Sequence, residues 1–156
     1  MAKGSRNQQT GRAGEFYVAA ELNRRGANAV TFAGNMPKID ILASNTDQSK
    51  TVRIQVKTRR AGTWQCSIED GGSMKDDHEN DSYWIFVDLA KENQPPEYYI
   101  VPNWWIRNNI YKTHKAYLNK RFGRRAVTLE SKHHAVDVKR LLEWKNKWNL
   151  LKIFDD

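Results

Sequence analysis

The segment Tyr83–Leu89 constrains the fold most, because its residues are β-forming and almost continuously apolar, which predicts a buried strand. A second strand is predicted over Thr51–Thr58, where Val52, Ile54 and Val56 alternate with polar residues. The chain is therefore expected to build a sheet that contains a buried strand.

Helices are expected on both sides of that sheet. Residues 12–25 predict a helix, because Val18 and Leu22 fall at helical spacing and Gly26 follows as a stop signal. Residues 135–150 predict a final helix, with Trp144 and Trp148 one turn apart. Further strands are predicted at 28–32, Lys38–Ala43, Glu97–Val101 and Val127–Leu129, with loop over 61–82 and a short helix after Pro102. The expected fold class is α/β, a mixed central sheet flanked by helices 12–25 and 135–150.

Length and composition limit the class of protein. A chain of 156 residues predicts one domain, here 12–156, preceded by a flexible basic arm over 1–11. One cysteine, Cys66, excludes an internal disulfide and a four-cysteine zinc site. No stretch approaches the ~20 apolar residues of a membrane helix, and no signal-peptide core is visible. We therefore expect a soluble, cytoplasmic protein without a membrane partner.

Charge is divided into three blocks along the chain. Residues 1–60 carry a net +7, residues 61–100 a net −7 and residues 101–156 a net +8. Basic blocks suit a polyanion, because each neutralised phosphate releases counterions. They equally suit a solvated surface, so charge alone leaves both readings open.

Four polar side chains, those of Glu15, Asp40, Gln55 and Lys57, are candidates for a shared site beside the apolar parts of the fold. Glu15 shares the helical stripe of Val18 and Leu22. Asp40 lies between two isoleucines, which is costly for a carboxylate unless it is paired or binds a metal. Gln55 and Lys57 project from one face of their strand. If the Asp40 strand pairs with theirs, all four side chains can meet.

These residues carry a resemblance to a known family. Pro37-Lys-Ile-Asp40 followed by Gln55-Val-Lys57 resembles the PD-(D/E)xK nuclease signature. A first-helix acid at Glu15 is similar to the arrangement in archaeal Holliday-junction resolvases, and the Ile-Gln-Val-Lys-Thr string is similar to that of small bacterial nuclease-like domains. The resemblance implies a restriction-endonuclease-like core and a metal-dependent endonuclease that hydrolyses DNA.

The resemblance also implies roles for each residue. Asp40, Gln55, the Val56 carbonyl and Glu15 would hold Mg²⁺ or Mn²⁺, and Lys57 would position the attacking water and offset phosphate charge. Gln55 stands where the family usually has an acid, so the site would hold two carboxylates and bind its metal less tightly.

DNA, duplex or branched, is the expected partner, and a homodimer is expected because cutting both strands needs two sites. The residues expected to contact its backbone are Arg12, Arg59, Arg60, Lys120, Arg121, Arg124 and Arg125.

Other interpretations remain open. Asp40 and Lys57 can form a structural ion pair, and Glu15 can serve as a helix-start acid. Gln55 favours a nuclease-fold module that binds nucleic acid without cutting. The charge blocks also allow a protein-interaction module. His133 and His134 are expected at the surface, since adjacent residues point apart.

Overall fold

The computed structural model describes residues 3–34, 36–76, 80–120 and 132–154. Two helices and seven strands form along this part of the chain. They are α1 (Lys3–Arg24), β1 (Asn28–Thr31), β2 (Ile41–Ser44), β3 (Thr51–Arg59), β4 (Trp64–Ser67), β5 (Ser82–Asp88), β6 (Glu97–Pro102), α2 (Asn103–Lys120) and β7 (His133–Val136).

Five strands form a mixed sheet in the order β1-β2-β3-β5-β6. The pairs β1–β2, β2–β3 and β5–β6 are antiparallel, whereas β3 and β5 run parallel. A parallel pair needs a crossover connection, and here the crossover carries β4, which leaves the sheet to pair with β7. The predicted α/β class with a mixed central sheet flanked by helices is confirmed.

Strand β5 is buried on both faces, which explains its apolar run. Tyr83, Ile85 and Val87 belong to one hydrophobic cluster, and Trp84 and Phe86 belong to another. Because side chains alternate along a strand, these clusters lie on opposite faces of the sheet. We call them the first face and the second face.

Helix α1 covers the first face. Its Val18 and Leu22 are fully buried against β2, β3 and β5, together with Trp148 and Leu151 from the end of the chain. Burying a side chain of this size stabilises the fold by about 1.5–3 kcal/mol. The stripe predicted for this helix is therefore the one that anchors it.

The second face is covered by α2 and by the β4–β7 pair. Ile106 and Ile110 of α2 are fully buried there with Trp64 and Val136. The Trp64 indole N–H donates to the carbonyl of Val87 at 2.9 Å, so this large side chain is buried without leaving its polar atom unpaired.

The N-terminal helix is longer than the sequence predicted. It begins at Lys3, so residues 3–11 are helical and the predicted flexible arm is wrong for them. A tertiary contact fixes this segment, because Arg60 Nε donates to Thr10 Oγ1 at 2.9 Å. Local sequence could not show this contact, because its partners are fifty positions apart.

The predicted final helix over 135–150 is wrong. That segment contains β7 and then the 3₁₀ turns Val138–Arg140, Leu142–Trp144 and Trp148–Leu151. Trp144 packs edge-on against Trp105 beside the second face, and Trp148 packs against Tyr98 on the first. Side chains that pack on opposite faces of the sheet cannot lie on one stripe of a helix. The helical spacing of Trp144 and Trp148 therefore gave a wrong prediction. Helix α2 is the helix on the second face.

One other predicted element changed, and one is not described. The stretch 61–82 contains β4 as well as loop. The predicted strand Val127–Leu129 lies outside the described residues. Within the described part of the chain, neither helix has the length and apolar character needed to cross a bilayer.

Candidate active site

The site is built on an open edge of β3. Strand β2 pairs with β3 only as far as Ile41 opposite Ile54, whereas β5 accompanies β3 to Arg59. On the β5 side, the Arg53 N–H donates to the Asp81 carbonyl, and the Arg59 carbonyl accepts from the Leu89 N–H. Peptide groups alternate in direction along a strand, so those of residues 54, 56 and 58 face the other edge, and beyond Ile54 no residue of β2 pairs with them.

Asp40 occupies that edge. It lies immediately before β2 and not inside a strand, so the predicted strand Lys38–Ala43 starts three residues too early. Its N–H donates to the Ile54 carbonyl at 2.9 Å, and its Oδ2 accepts from the Val56 N–H at 2.7 Å. The carboxylate thus takes the place of a strand partner. The Val56 carbonyl points to the same edge, as the alternation requires.

Gly14 brings Glu15 to this edge. A Cβ at position 14 would lie 2.8 Å from Thr58 Cβ and closer still to Thr58 Oγ1, so only glycine lets α1 approach β3 this closely. The contact leaves Thr58 Oγ1 buried without a hydrogen-bond partner among the described residues. The sequence signal was a glycine inside a predicted helix, beside the acid that it positions.

Glu15 and Asp40 line one cleft, of about 860 Å³, with Arg12. Burial raises the pKa of Glu15, the nearby Asp40 charge raises it further, and Arg12 opposes both. Burial also raises the pKa of Asp40, against the Val56 hydrogen bond and the Lys57 charge. Two half-buried acids that repel each other gain from a cation between them.

Lys57 and Gln55 lie on the second-face side of β3. Lys57 Nζ is 5.5 Å from the ring centroid of Trp84, and its charge acts on Asp40. Gln55 lines a separate cavity of about 280 Å³, which shares Pro37 and Ile39 with the Glu15 cleft. The structure thus brings Glu15 and Asp40 together with Lys57 in electrostatic reach, whereas Gln55 and Glu15 open into different cavities.

A third cavity, of about 530 Å³, extends from Lys57 along the end of β3. Arg6 and Arg60 line it, and its described lining contains no carboxylate. Arg6 belongs to the segment that was expected to be a flexible arm, so its place here could not be read from the sequence.

The predicted DNA contacts are only partly described. Arg12 and Arg60 are exposed beside the site. Arg59 instead donates to Asp88 from Nε at 2.9 Å and from Nη2 at 2.6 Å, and stacks on Trp64, which favours a structural role over phosphate binding. The side chain of Lys120 and all of Arg121, Arg124 and Arg125 lie outside the described residues.

Carboxylates supply few metal ligands here. Within the described residues, no group of three or more His, Cys, Asp and Glu side chains could hold a metal ion.

His133 is exposed as expected, but His134 is buried, and Arg140 Nη1 lies 3.0 Å from its Nε2. Burial and that guanidinium lower the pKa of His134 to about 4. Burial raises the pKa of the Cys66 thiol to about 11, which does not suit a nucleophile.

Comparisons with known proteins add little. No protein-family model matches the chain, and no curated protein matches it. A solved structure of a bacterial homing endonuclease, I-Ssp6803I, is similar over 93% of each chain, with a TM-score of 0.49 and 10% sequence identity. We transfer no residue role from it, and the function proposed below rests on the site.

Proposed function

We propose that this chain is a divalent-metal-dependent endonuclease that hydrolyses phosphodiester bonds of DNA at Asp40. The observation that carries the proposal is the Asp40 carboxylate on the open edge of β3, beside Glu15 and within reach of the Lys57 charge. This arrangement accords with the resemblance of Pro37–Asp40 and Gln55–Lys57 to the PD-(D/E)xK signature.

The donors at this edge fit a hard cation. Asp40, Glu15 and the Val56 carbonyl offer oxygen ligands, and oxygen is what Mg²⁺ and Mn²⁺ prefer. Burial and the charge of Asp40 both raise the pKa of Glu15, so a bound cation would relieve a repulsion already built into the fold. Gln55 would reach the ion only from the second-face side. When bound, the metal would polarise the phosphate and acidify a water.

The chain's own residues would supply the rest of the chemistry. Lys57, next along the strand from Val56, would orient the water and offset charge that develops on the phosphate. Arg12 in the Glu15 cleft and Arg60 in the third cavity would hold the backbone on either side of it.

The test is cleavage of supercoiled plasmid, linear duplex, single strand and four-way junction with Mg²⁺, Mn²⁺ or EDTA. We expect cutting that EDTA abolishes and that Lys57→Ala and Asp40→Asn each slow by at least about 100-fold. The control Lys147→Ala removes the same charge from an exposed position next to Trp148, which packs on Tyr98 of β6 at the far edge of the sheet. Undiminished cutting by both site variants would exclude this site.

A second candidate function is a nucleic-acid-binding module that does not cut. It is favoured by Gln55, because a neutral amide replaces the acid expected there. Retained, salt-sensitive DNA binding without cleavage of any substrate would select it, and Gln55→Glu would then leave binding unchanged and create no activity. Binding that ignores salt would instead favour a protein-interaction module.

We also propose that the active form is a homodimer. One Asp40 site per chain cuts one strand, so cutting a duplex in place requires two copies. Light scattering during size exclusion, with and without DNA, measures the stoichiometry. A strictly monomeric protein that still makes double-strand breaks in single encounters would contradict it.

A further inference from the structure

We propose that the cavity beside Gln55 is a second phosphate-binding subsite, which holds a phosphodiester group a few nucleotides from the scissile one. Its cationic lining consists of Lys38, Arg53 and Arg107. The identity of the ligand as a polynucleotide rests on the proposed function, but the preference for an anion rests on the cavity itself.

Three elements contribute these cations. Lys38 comes from the turn before Asp40, Arg53 from β3 and Arg107 from α2. The described lining has one carboxylate, Asp70, whose Oδ2 already accepts the Ser67 N–H at 3.3 Å in the cap of the 3₁₀ turn Ile68–Asp70. The described lining therefore has an excess of positive charge. Arginine in particular suits phosphate, because its planar donors match phosphate oxygens in pairs.

The arginine from α2 is held in position. Arg107 Nε donates to the Asp70 carbonyl at 3.0 Å, and the Arg107 carbonyl accepts from the Gly72 N–H at 3.1 Å. Fixing Nε in this way leaves the other guanidinium nitrogens to a ligand and reduces the entropy lost on binding.

Lys38 stands in a strained backbone conformation. Its φ of 62° is left-handed, a conformation that is unfavourable for a residue other than glycine. Glycine would remove the strain, yet a lysine occupies the position and lines the cavity.

The subsite is continuous with the candidate active site. Arg53, Gln55 and Lys57 project from the same face of β3, and at about 3.3 Å per residue the first and last are roughly 13 Å apart. Each nucleotide of a strand rises about 3.4 Å, so this distance spans a few nucleotides. One strand can therefore contact Lys57 and this cavity together.

Lys38→Gly tests the subsite without damaging the fold. In EDTA, anisotropy of a labelled duplex at several salt concentrations should show binding weakened about 3- to 10-fold, with a salt slope smaller by about 0.9. The melting temperature should stay the same or rise, because glycine relieves the backbone. Arg53→Ala, at an exposed position, should repeat the loss of affinity.

Lys152→Gly is the matched control. Lys152 is an exposed lysine with φ 51°, and its neighbours Leu151 and Ile153 are buried on the first face, away from this cavity. The substitution therefore makes the same change in charge and backbone elsewhere, and binding should not change.

The outcomes separate the two proposals. Unchanged affinity and slope in both Lys38→Gly and Arg53→Ala would overturn the subsite, whether or not the protein cuts DNA. Lost affinity in a protein that cuts nothing would support the subsite and remove the catalytic proposal. A wild-type protein that binds no nucleic acid would overturn both.

Discussion

The two halves of β3 belong to one continuous strand but have different surroundings. From Thr51 to Ile54 the strand has β2 on one edge, and exposed and buried residues alternate strictly. From Gln55 to Arg59 that edge is free of β2, and every residue is half-buried. The first half has the environment of an ordinary sheet, and the second has that of a site.

The difference comes from where β2 begins. Because β2 starts at Ile41, the peptide groups of Val56 and Thr58 face a gap that Asp40 and α1 fill. The late start of β2 therefore leaves backbone groups of β3 to face a carboxylate in place of a strand, without exposing the hydrophobic core. The predictions below test whether the two halves are as different as this comparison implies.

Gly14→Ala should have the largest effect. The new Cβ would collide with Thr58 in the second half of β3 and push α1 away, costing about 3 kcal/mol of unfolding free energy. DNA cleavage should fall with it, because Glu15 moves. Chemical denaturation and the plasmid assay measure both.

The control for this change lies in the same helix. A Cβ at Gly11 meets nothing within 4 Å, so Gly11→Ala should gain about 0.5–1 kcal/mol from helix propensity alone. Equal effects of the two substitutions would show that the close approach of α1 to Thr58 does not hold in solution.

Val52→Ala and Val56→Ala compare the halves directly. Val52 is fully buried, so its truncation should cost about 2 kcal/mol through lost burial and the cavity that remains. Val56 is half-buried beside the site, so the same truncation should cost less than about 1 kcal/mol. Equal losses in denaturation midpoints would show that the second half is packed as tightly as the first.

Asp40→Asn should have the smallest effect on stability, with the opposite sign. The raised pKa of Asp40 means that the folded protein binds the proton more tightly than the unfolded chain does. The loss of unfolding free energy caused by ionised Asp40 is therefore absent at pH values below the ordinary carboxyl pKa. It is complete once the pH exceeds the raised pKa. The variant should therefore be more stable than the wild type at pH 7 and equal to it at pH 3.

A bound metal ion should make the wild type more stable than Asp40→Asn, which reverses their order of stability without metal. Saturating Mg²⁺ or Mn²⁺ at about 100 times its dissociation constant should stabilise wild type by roughly 2.7 kcal/mol, and Asp40→Asn by much less. Thermal melts with each ion and with EDTA measure this independently of cleavage. An equal shift in both proteins would place the bound cation elsewhere.

Periodicity and local polarity predicted part of the site. Alternation placed Gln55 and Lys57 on one face of β3, and the helical stripe placed Glu15 on the side of α1 that packs on the sheet. Asp40 was expected against that strand and lies there, although just outside β2. The roles of all four residues stay predictions.

Other parts depended on contacts that no local pattern records. Arg53 and Arg107 meet in one cavity although they are far apart in sequence, and Arg59 is paired with Asp88 across two strands. The final segment had helical spacing, but its tryptophans pack beside opposite faces of the sheet.

The sequence by itself determined the α/β class, the buried strand β5 and the polar residues of β3, because these follow from side-chain periodicity. Only the tertiary structure decided that β2 begins as late as Ile41, that Gly14 lets α1 pack closely on Thr58 and that Lys38, Arg53 and Arg107 share a cavity. Each of these depends on which distant surfaces pack together, and packing of that kind leaves no repeat in the sequence.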